Sequence, residues 1–232
     1  MEVRACRALP TGRNRQKNGI PFPLSNPNSE KFPAEAPPPG DAPDFWELVR
    51  EDLETYGGDW TRPGFQALLV YRLGVWRMRV QPKMLRGPLS ALYNTLFATV
   101  RNFYGIELPF SARVGRRVVF EHQHGIVVHG AAEIGDDCII RQGVTLGIRR
   151  LTHLADAPKL GRGVSVGAGA KILGKVEIGD HAEIGANAVV LDNVPARAIA
   201  VGIPARTVSL KGTTLQVSPN QKSSGGTGTL PR

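Results

Sequence analysis

Aliphatic side chains recur at every sixth position through residues 107–208. Three runs carry this repeat, and a two-residue slip separates each run from the next: Val114 and Phe120; Val128, Ile134, Ile140 and Leu146; Leu160, Val166, Ile172, Ile178, Ile184 and Val190. A period of six is neither the period of two of a strand nor the 3.6 of a helix, and it is typical of parallel β-helices. We therefore predict that three hexads form one triangular coil, with each aliphatic side chain pointing inward.

The neighbours of the aliphatic positions are small. Glycine directly follows seven of them: Gly115, Gly135, Gly147, Gly161, Gly167, Gly179 and Gly185. We attribute these glycines to turns with positive φ. Small residues stand two positions before the aliphatic residue and fit crowded corners: Ala132, Cys138, Ala170, Ala182 and Ala188. The pattern therefore gives Cys138 a packing role, because a buried thiol is usually inert.

The repeat is interrupted twice, and functional residues often lie where a regular pattern breaks. The step from Phe120 to Val128 is eight, so two extra residues fall within 121–125, and residues 148–158 form a second insertion. The first insertion contains His122 and His124 beside acidic residues, which suits a general base as well as an ordinary surface turn. Zinc would need three or four ligands; these histidines lack an obvious further ligand, so we predict no metal.

Residues 45–106 have helical periodicity. We predict a first helix from Phe45, capped by Asp44 and stopped by Gly57 and Gly58, and a second helix from about Pro63. A break at Pro82 precedes a third helix after Pro88. The stripes predicted to pack are Phe65, Leu68, Leu69, Leu73 and Trp76 in the second helix, and Leu89, Leu92, Tyr93, Leu96, Phe97 and Val100 in the third.

The two ends of the chain differ in composition from the part between them. Nine of the 18 prolines fall in residues 1–44, which predicts a disordered tail. Residues 209–232 end in a glycine- and serine-rich run and predict a flexible tail. The predicted organisation is thus a helical N-terminal domain at 45–106 and a β-helix domain at 107–208, between two tails.

Charge and hydropathy exclude several classes of protein. The net charge of +9 is spread over the four segments without a basic block, so we predict no nucleic-acid partner. The longest uncharged apolar-rich run, 87–100, is shorter than the roughly 20 residues of a membrane span. Two cysteines and no apolar signal segment favour a reducing compartment, and we expect the protein to be cytoplasmic.

Three strings of the chain resemble the serine O-acetyltransferases, a family of left-handed β-helix acyltransferases that use acetyl-CoA. Val49–Trp76 resembles the helical lead-in of the family, Phe120–Gly147 its catalytic coils, and Val166–Arg206 its cofactor coils. The resemblance implies a mainly β fold, a left-handed parallel β-helix of hexapeptide repeats preceded by a short α-helical domain. It also implies acetyl transfer from acetyl-CoA to a hydroxyl, L-serine in the family, as a step of cysteine biosynthesis.

The resemblance also assigns roles to residues. His122 stands at the catalytic histidine of the family, Glu107 at the aspartate paired with it, and Glu121 at a second aspartate beside the acceptor. In the family the site lies between subunits, which implies a homotrimer or a dimer of trimers. Residues on the coenzyme A track are Gly147, Gly167, Ala168, Lys171 and Arg206, and cations suited to its phosphates include Arg149 and Arg150 as well.

The chain departs from the family at three places. Asp156 and Ala157 replace an Arg-His pair that helps to hold serine. The helical domain is short, and the C-terminal isoleucine that docks into the next enzyme of cysteine synthesis is absent, so that complex is not predicted. Two alternatives therefore stay open: the same chemistry on a sugar hydroxyl of a polysaccharide, and a non-catalytic or zinc-binding β-helix.

Overall fold

Short parallel strands form three faces in the C-terminal half of this computed structural model, which describes residues 44–81 and 83–210. Sheet A stacks β1 (Ile106–Glu107), β4 (Ile126–Val128), β7 (Thr145–Gly147), β10 (Lys171–Leu173) and β13 (Val189–Val190). Sheet B stacks β2 (Arg113–Val114), β5 (Glu133–Ile134), β8 (Lys159–Leu160) and β11 (Glu177–Ile178). Sheet C stacks β3 (Val119–Glu121), β6 (Ile139–Arg141), β9 (Ser165–Val166), β12 (Glu183–Ile184), β14 (Ala198–Val201) and the antiparallel β15 (Arg206–Leu210).

The chain visits sheets A, B and C in turn, so that three strands complete one coil and about five coils stack. Each aliphatic residue of the repeat is buried, except the half-buried Val114 of the first coil, and each lies on its counterpart in the next coil. Phe120, Ile140 and Val166 form one such ladder. The predicted mainly β fold with a parallel β-helix is therefore confirmed.

The glycines after the aliphatic positions have a different cause from the one predicted. Positive φ occurs three residues after the aliphatic position, for example at Asp137 and Gly163, and not at the glycine that directly follows it. Six of the seven directly following glycines, all except Gly147, lie where successive coils approach closely. A Cβ on Gly135 would lie 2.5 Å from the carbonyl oxygen of Gly161, and one on Gly167 would lie 2.6 Å from the amide nitrogen of Ala186. These positions exclude a side chain because of the neighbouring backbone.

Cys138 occupies a crowded corner, in agreement with its predicted packing role. It is fully buried, and its thiol donates to the carbonyl of Gly161 at 3.1 Å. Burial raises the pKa of the Cys138 thiol to about 11. Because the thiolate is the reactive form, this cysteine is protected both sterically and electrostatically.

Three α-helices precede the coils in the described residues: α1 (Phe45–Thr55), α2 (Pro63–Trp76) and α3 (Arg86–Thr99). A 3₁₀ turn (Lys83–Leu85) leads into α3, and a π-helix (Val100–Tyr104) follows it. The start of α2 at Pro63 and the stop of α1 before Gly57 agree with the sequence. Asp44 is the N-cap residue, but its side chain makes no capping hydrogen bond, and α3 begins at Arg86, before Pro88.

The buried faces of the helices are only partly the predicted stripes. Helix α2 is buried on most of its circumference, through residues that include Ala67, Val70 and Tyr71, because it lies between α1, α3 and the first coil. Trp76 and Leu92 are exposed instead. A stripe argument assumes that a helix packs on one side, and α2 packs on several.

The buried ion pair of Arg72 and Asp52 joins α1, α2 and the first coil. Arg72 Nε lies 2.9 Å from Asp52 Oδ2, and its terminal nitrogens donate to the carbonyls of Val114 and Gly115 at 3.1 and 2.6 Å. Burial raises the pKa of the Asp52 carboxyl, against the opposing effect of Arg72. The guanidinium therefore provides charge balance and backbone hydrogen bonds together.

Arg77 is buried to a similar degree but lies between aromatic rings. Its guanidinium carbon is 3.9 Å from the ring centre of Tyr93 and 4.5 Å from that of Phe110. Its Nε and Nη1 have no hydrogen-bond partner among the residues described. Burial lowers the pKa of Arg77, as expected for a cation stabilised only by ring faces.

The ends of the described part differ from the predicted domain boundaries. Strand β15 continues to Leu210, beyond the predicted boundary at 208, and pairs with β14 to close the last coil. Residues 1–43 and 211–232, which contain nearly all of the two predicted tails, lie outside the described residues, as does Pro82. In the described part, the helices are too short or too polar to cross a bilayer.

Removal of the charge should destabilise the protein strongly at Arg72 and little at Arg77. We expect Arg72→Met to lower the free energy of unfolding by about 3–5 kcal/mol, because it leaves Asp52 buried without its partner. Arg77→Met should change it by less than about 1 kcal/mol, since the lost cation–π contacts are offset by removal of unsatisfied donors. Urea unfolding of both variants with equal m-values measures this, and equal losses would contradict it.

Candidate functional site

The first interruption of the repeat is a two-residue bulge at the corner between sheets C and A. Every coil turns this corner through a residue with positive φ, and these residues form one column: Gly105, Gly125, Gly143, Gly169 and Asn187. The amide of Gly143 donates to the carbonyl of His124 at 2.9 Å, as that of Gly169 does to Gln142 one coil later. His124 is thus the regular corner residue, and His122 and Gln123 are the insertion.

The bulge holds His122 outside the prism. His122 has φ 65°, and His124 has φ 75°, a left-handed conformation that is uncommon for residues other than glycine. The His122 side chain is exposed and makes no hydrogen bond with residues 44–81 or 83–210. Its imidazole is therefore open to a ligand or to another subunit.

His122 opens onto a cleft of about 550 Å³ between the helices and β3. One wall is formed by the end of α1 and the start of α2: Thr55, Tyr56, Arg62, Pro63 and Gly64. The other wall is β3 and the bulge, from Val119 to Gln123. A histidine at the rim of a polar cleft has the geometry of a general base.

The two glutamates predicted with His122 lie on either side of the same corner. Glu121 is its neighbour in the chain, and Glu121 Oε2 is 2.8 Å from Arg141 Nε; Arg141 in turn donates to Ser165 Oγ at 3.1 Å. Glu107 is half-buried on sheet A, in register with Val127. Within the described residues, no hydrogen bond joins Glu107 to His122, and their pairing stays a prediction.

The residues predicted to bind coenzyme A border one face of the prism. Gly147 and Lys171 lie on sheet A, in neighbouring strands, and Arg149 follows Gly147 at the corner where the chain leaves this sheet. Gly167 and Ala168 lie at the opposite corner, before β10. With about 4.8 Å between coils, Gly147 and Arg149 lie about 5 Å, and Gly167, Ala168 and Lys171 about 10 Å, from the level of His122 along the prism.

Three of the predicted cations, Lys171, Arg149 and Arg206, have partners on the protein. Lys171 Nζ donates to the carbonyl of Gly143. Arg149 Nε donates to the carbonyl of Leu173 at 3.0 Å, and Arg206 lies 3.9 Å from Asp192 in an exposed pair. The two terminal nitrogens of Arg149 take no part in that hydrogen bond. Of these three side chains, Arg149 is therefore the best suited to bind an anion.

The helical wall of the cleft was not predicted from the sequence. Its principal residues are Tyr56, Arg62 and Gly64. The available signal was Gly64 in the first turn of α2, since a glycine inside a helix often marks a close approach. A Cβ there would overlap the carbonyl oxygen of Phe120 and the Tyr56 hydroxyl.

The second interruption, residues 148–158, leaves the prism at the other corner of sheet A. Its stem is fixed by the hydrogen bond of Arg149, and its tip is exposed at Leu151 and His153. At its end Asp156 is half-buried, whereas Ala157 is 2% exposed and belongs to the core. A larger side chain at 157 therefore requires the loop to move. No group of three potential metal-binding side chains occurs in the described part of the chain.

Comparison with known proteins places the fold in a class. Residues 157–192 match the model of the bacterial transferase hexapeptide family, described as six repeats. The structure of serine acetyltransferase from Brucella abortus in complex with coenzyme A superimposes with a TM-score of 0.61 at 29% identity, over 73% of this chain and 70% of that one. The fold and the corner site thus define a hexapeptide-repeat transferase.

Two curated relatives narrow the class. The serine acetyltransferase of Helicobacter pylori is 41% identical over 147 residues, which cover 63% of this chain and 82% of that protein. That of Synechococcus elongatus is 40% identical over 154 residues, but the match covers only 59% of its length. The chain belongs to the serine acetyltransferase family.

Proposed function

We propose that the protein transfers the acetyl group of acetyl-CoA to a hydroxyl acceptor, as a serine acetyltransferase. The observation that carries the proposal is the exposed His122, held in a two-residue bulge at the rim of a polar cleft. The coenzyme A and serine acetyltransferase named for the relatives agree with this assignment.

In the proposed reaction His122 accepts the proton of the acceptor hydroxyl as its oxygen attacks the thioester carbon. The tetrahedral intermediate then collapses, the carbon–sulfur bond breaks, and the proton passes from His122 to the departing thiolate of coenzyme A. Backbone N–H groups of the coil turns stabilise the oxyanion. Glu121, oriented by Arg141, lies beside the acceptor.

We assign Glu107 to the orientation of the His122 imidazole. The two residues are not hydrogen-bonded within the described part of the chain, and both side chains are at least partly accessible on the same first coil. A homotrimer, or a dimer of trimers, would place a second chain against this corner and complete the site. With acetyl-CoA as the donor, we place the reaction in the cytoplasm.

We assign the acetyl-CoA site to sheet A and its two corners, where Gly147, Arg149, Gly167, Ala168 and Lys171 lie on successive coils. Gly147, which is half-buried, leaves its backbone partly accessible to a pantetheine arm, and Arg149 is suited to a phosphate. Arg206 lies at the far end of the same track.

The acceptor has a second candidate. Asp156 stands at the loop end where the family carries an Arg-His pair, and its negative charge would repel the carboxylate of serine. Asp156 therefore favours a sugar hydroxyl over serine, whereas the family assignment favours serine. The release of free coenzyme A thiol from acetyl-CoA, measured first with L-serine and then with a panel of sugars, decides between them; release with neither would favour a non-catalytic β-helix.

We expect His122→Ala to lower kcat about 10²–10⁴-fold, the usual contribution of a general base. His181→Ala is the matched control, because His181 is also exposed at a coil corner with positive φ, 57°, but lies between sheets B and C. Thiol release measures both variants. A loss below fivefold for His122→Ala, or an equal loss for His181→Ala, would contradict the assignment.

We expect Arg149→Ala to raise the KM for acetyl-CoA about tenfold with kcat unchanged, as for loss of binding that is uniform along the reaction. Arg162→Ala removes an exposed arginine at the corner between sheets B and C and should leave KM within twofold. Steady-state kinetics at saturating acceptor measures this. A fall in kcat without a change in KM would place Arg149 outside the coenzyme site.

A further inference from the structure

The open edge of sheet C is the strand that leads to His122. Strand β3 ends the sheet order, and the amide of Val119 already donates to Cys138 in the second coil at 2.8 Å. The N–H and C=O of the next residue, Phe120, therefore point to the side where a preceding coil would be. An unpaired buried backbone pair of this kind is costly.

Tyr56 takes the place of that missing coil. Its hydroxyl accepts the N–H of Phe120 at 2.7 Å and donates to the C=O of the same residue at 3.3 Å. Burial raises the pKa of Tyr56 above its ordinary value, so the phenol stays neutral and can both donate and accept. Gly64 permits this approach, since any side chain there would overlap both partners.

The bulge is thereby fixed at both ends. Phe120, two residues before His122, is held by Tyr56. His124, two residues after it, is held through its backbone. Its N–H donates to the carbonyl of Tyr104 at 2.7 Å, and its carbonyl accepts the N–H of Gly143 at 2.9 Å. His122 itself has no hydrogen bond within the described residues, so its position depends on these two anchors.

We propose that Tyr56 is a positioning residue for His122, holding the edge strand in the place from which the bulge presents the imidazole to the cleft. The role rests on His122 being the base of the proposed reaction. Tyr56 also lines the cleft, but its hydroxyl is engaged by the backbone, so it acts through the strand and not on the substrate.

The chain supplies a matched control in Tyr71. The Tyr71 hydroxyl donates to the carbonyl of Ala112 at 2.9 Å and accepts the N–H of Val114 at 3.1 Å, along the open edge of sheet B. Like Tyr56→Phe, Tyr71→Phe removes one hydrogen bond to a backbone carbonyl and one from a backbone N–H. The strand that it releases does not lead directly to His122. The two substitutions differ mainly in which edge is released.

The test compares Tyr56→Phe with Tyr71→Phe in the full chain. We expect Tyr56→Phe to lower kcat about tenfold with the KM for acetyl-CoA within twofold, because misplacement of a catalytic group by less than 1 Å reduces turnover strongly. Tyr71→Phe should leave kcat within twofold. Equal kcat losses in the two variants, or no loss in Tyr56→Phe while the wild type is active, would overturn the proposal.

Amide hydrogen exchange tests whether Tyr56 holds the edge strand, and this measurement does not depend on enzymatic activity. Exchange of peptides spanning 119–125 should rise about tenfold in Tyr56→Phe and stay unchanged in Tyr71→Phe; no rise would also overturn the proposal. Gly64→Ala should reproduce both effects of Tyr56→Phe. A wild type that releases no coenzyme A with any acceptor would contradict the proposed function instead, and the exchange result would still decide whether Tyr56 holds the bulge.

Discussion

The first coil of a β-helix has no coil before it, so one edge of each sheet exposes unpaired backbone groups. Such edges invite pairing with other chains unless they are covered. Here the helices cover two of these edges with side-chain hydroxyls, Tyr56 on Phe120 in sheet C and Tyr71 on Ala112 and Val114 in sheet B. Tyr93 accepts the amide of Phe110 in the connection between β1 and β2. Arg72 adds hydrogen bonds to the carbonyls of Val114, in β2, and of Gly115, which follows it. The helices therefore act as a hydrogen-bonded cap.

The cap has a consequence for the site, because the phenol that covers β3 lies next to the bulge. The close approach through Gly64 brings α2 against Phe120, and the space left beside this contact is the cleft that His122 faces. An ion network adds to the same attachment: Glu51 lies 2.7 Å from Arg116 and 2.8 Å from Arg117. Burial by itself would raise the pKa of the Glu51 carboxyl, but the hydrogen bonds and charges of the two arginines outweigh it and hold this pKa below its ordinary value.

Sequence patterns predicted the coils well because the repeat is local and its period is unusual. The inward aliphatic positions, the small corners and both interruptions follow from counting along the chain. The glycine argument failed because the limiting contact is with the next coil, Gly161 for Gly135 and Ala186 for Gly167, and φ at a single position does not reveal it. The Tyr56 contact joins residues 64 apart, and no periodic pattern in the sequence indicates a contact over that distance.

The two interruptions share a property that the strand order explains. One lies where the chain enters sheet A, between β3 and β4, and the other where it leaves sheet A, between β7 and β8. An insertion within a strand would displace the aliphatic ladder, whereas an insertion at a corner protrudes and lets the next coil resume its register, as Gly125 and Gly143 show. Corners are therefore the places where this fold tolerates inserted residues. Because one insertion lies at an entry to sheet A and the other at an exit from it, both border the same face of the prism.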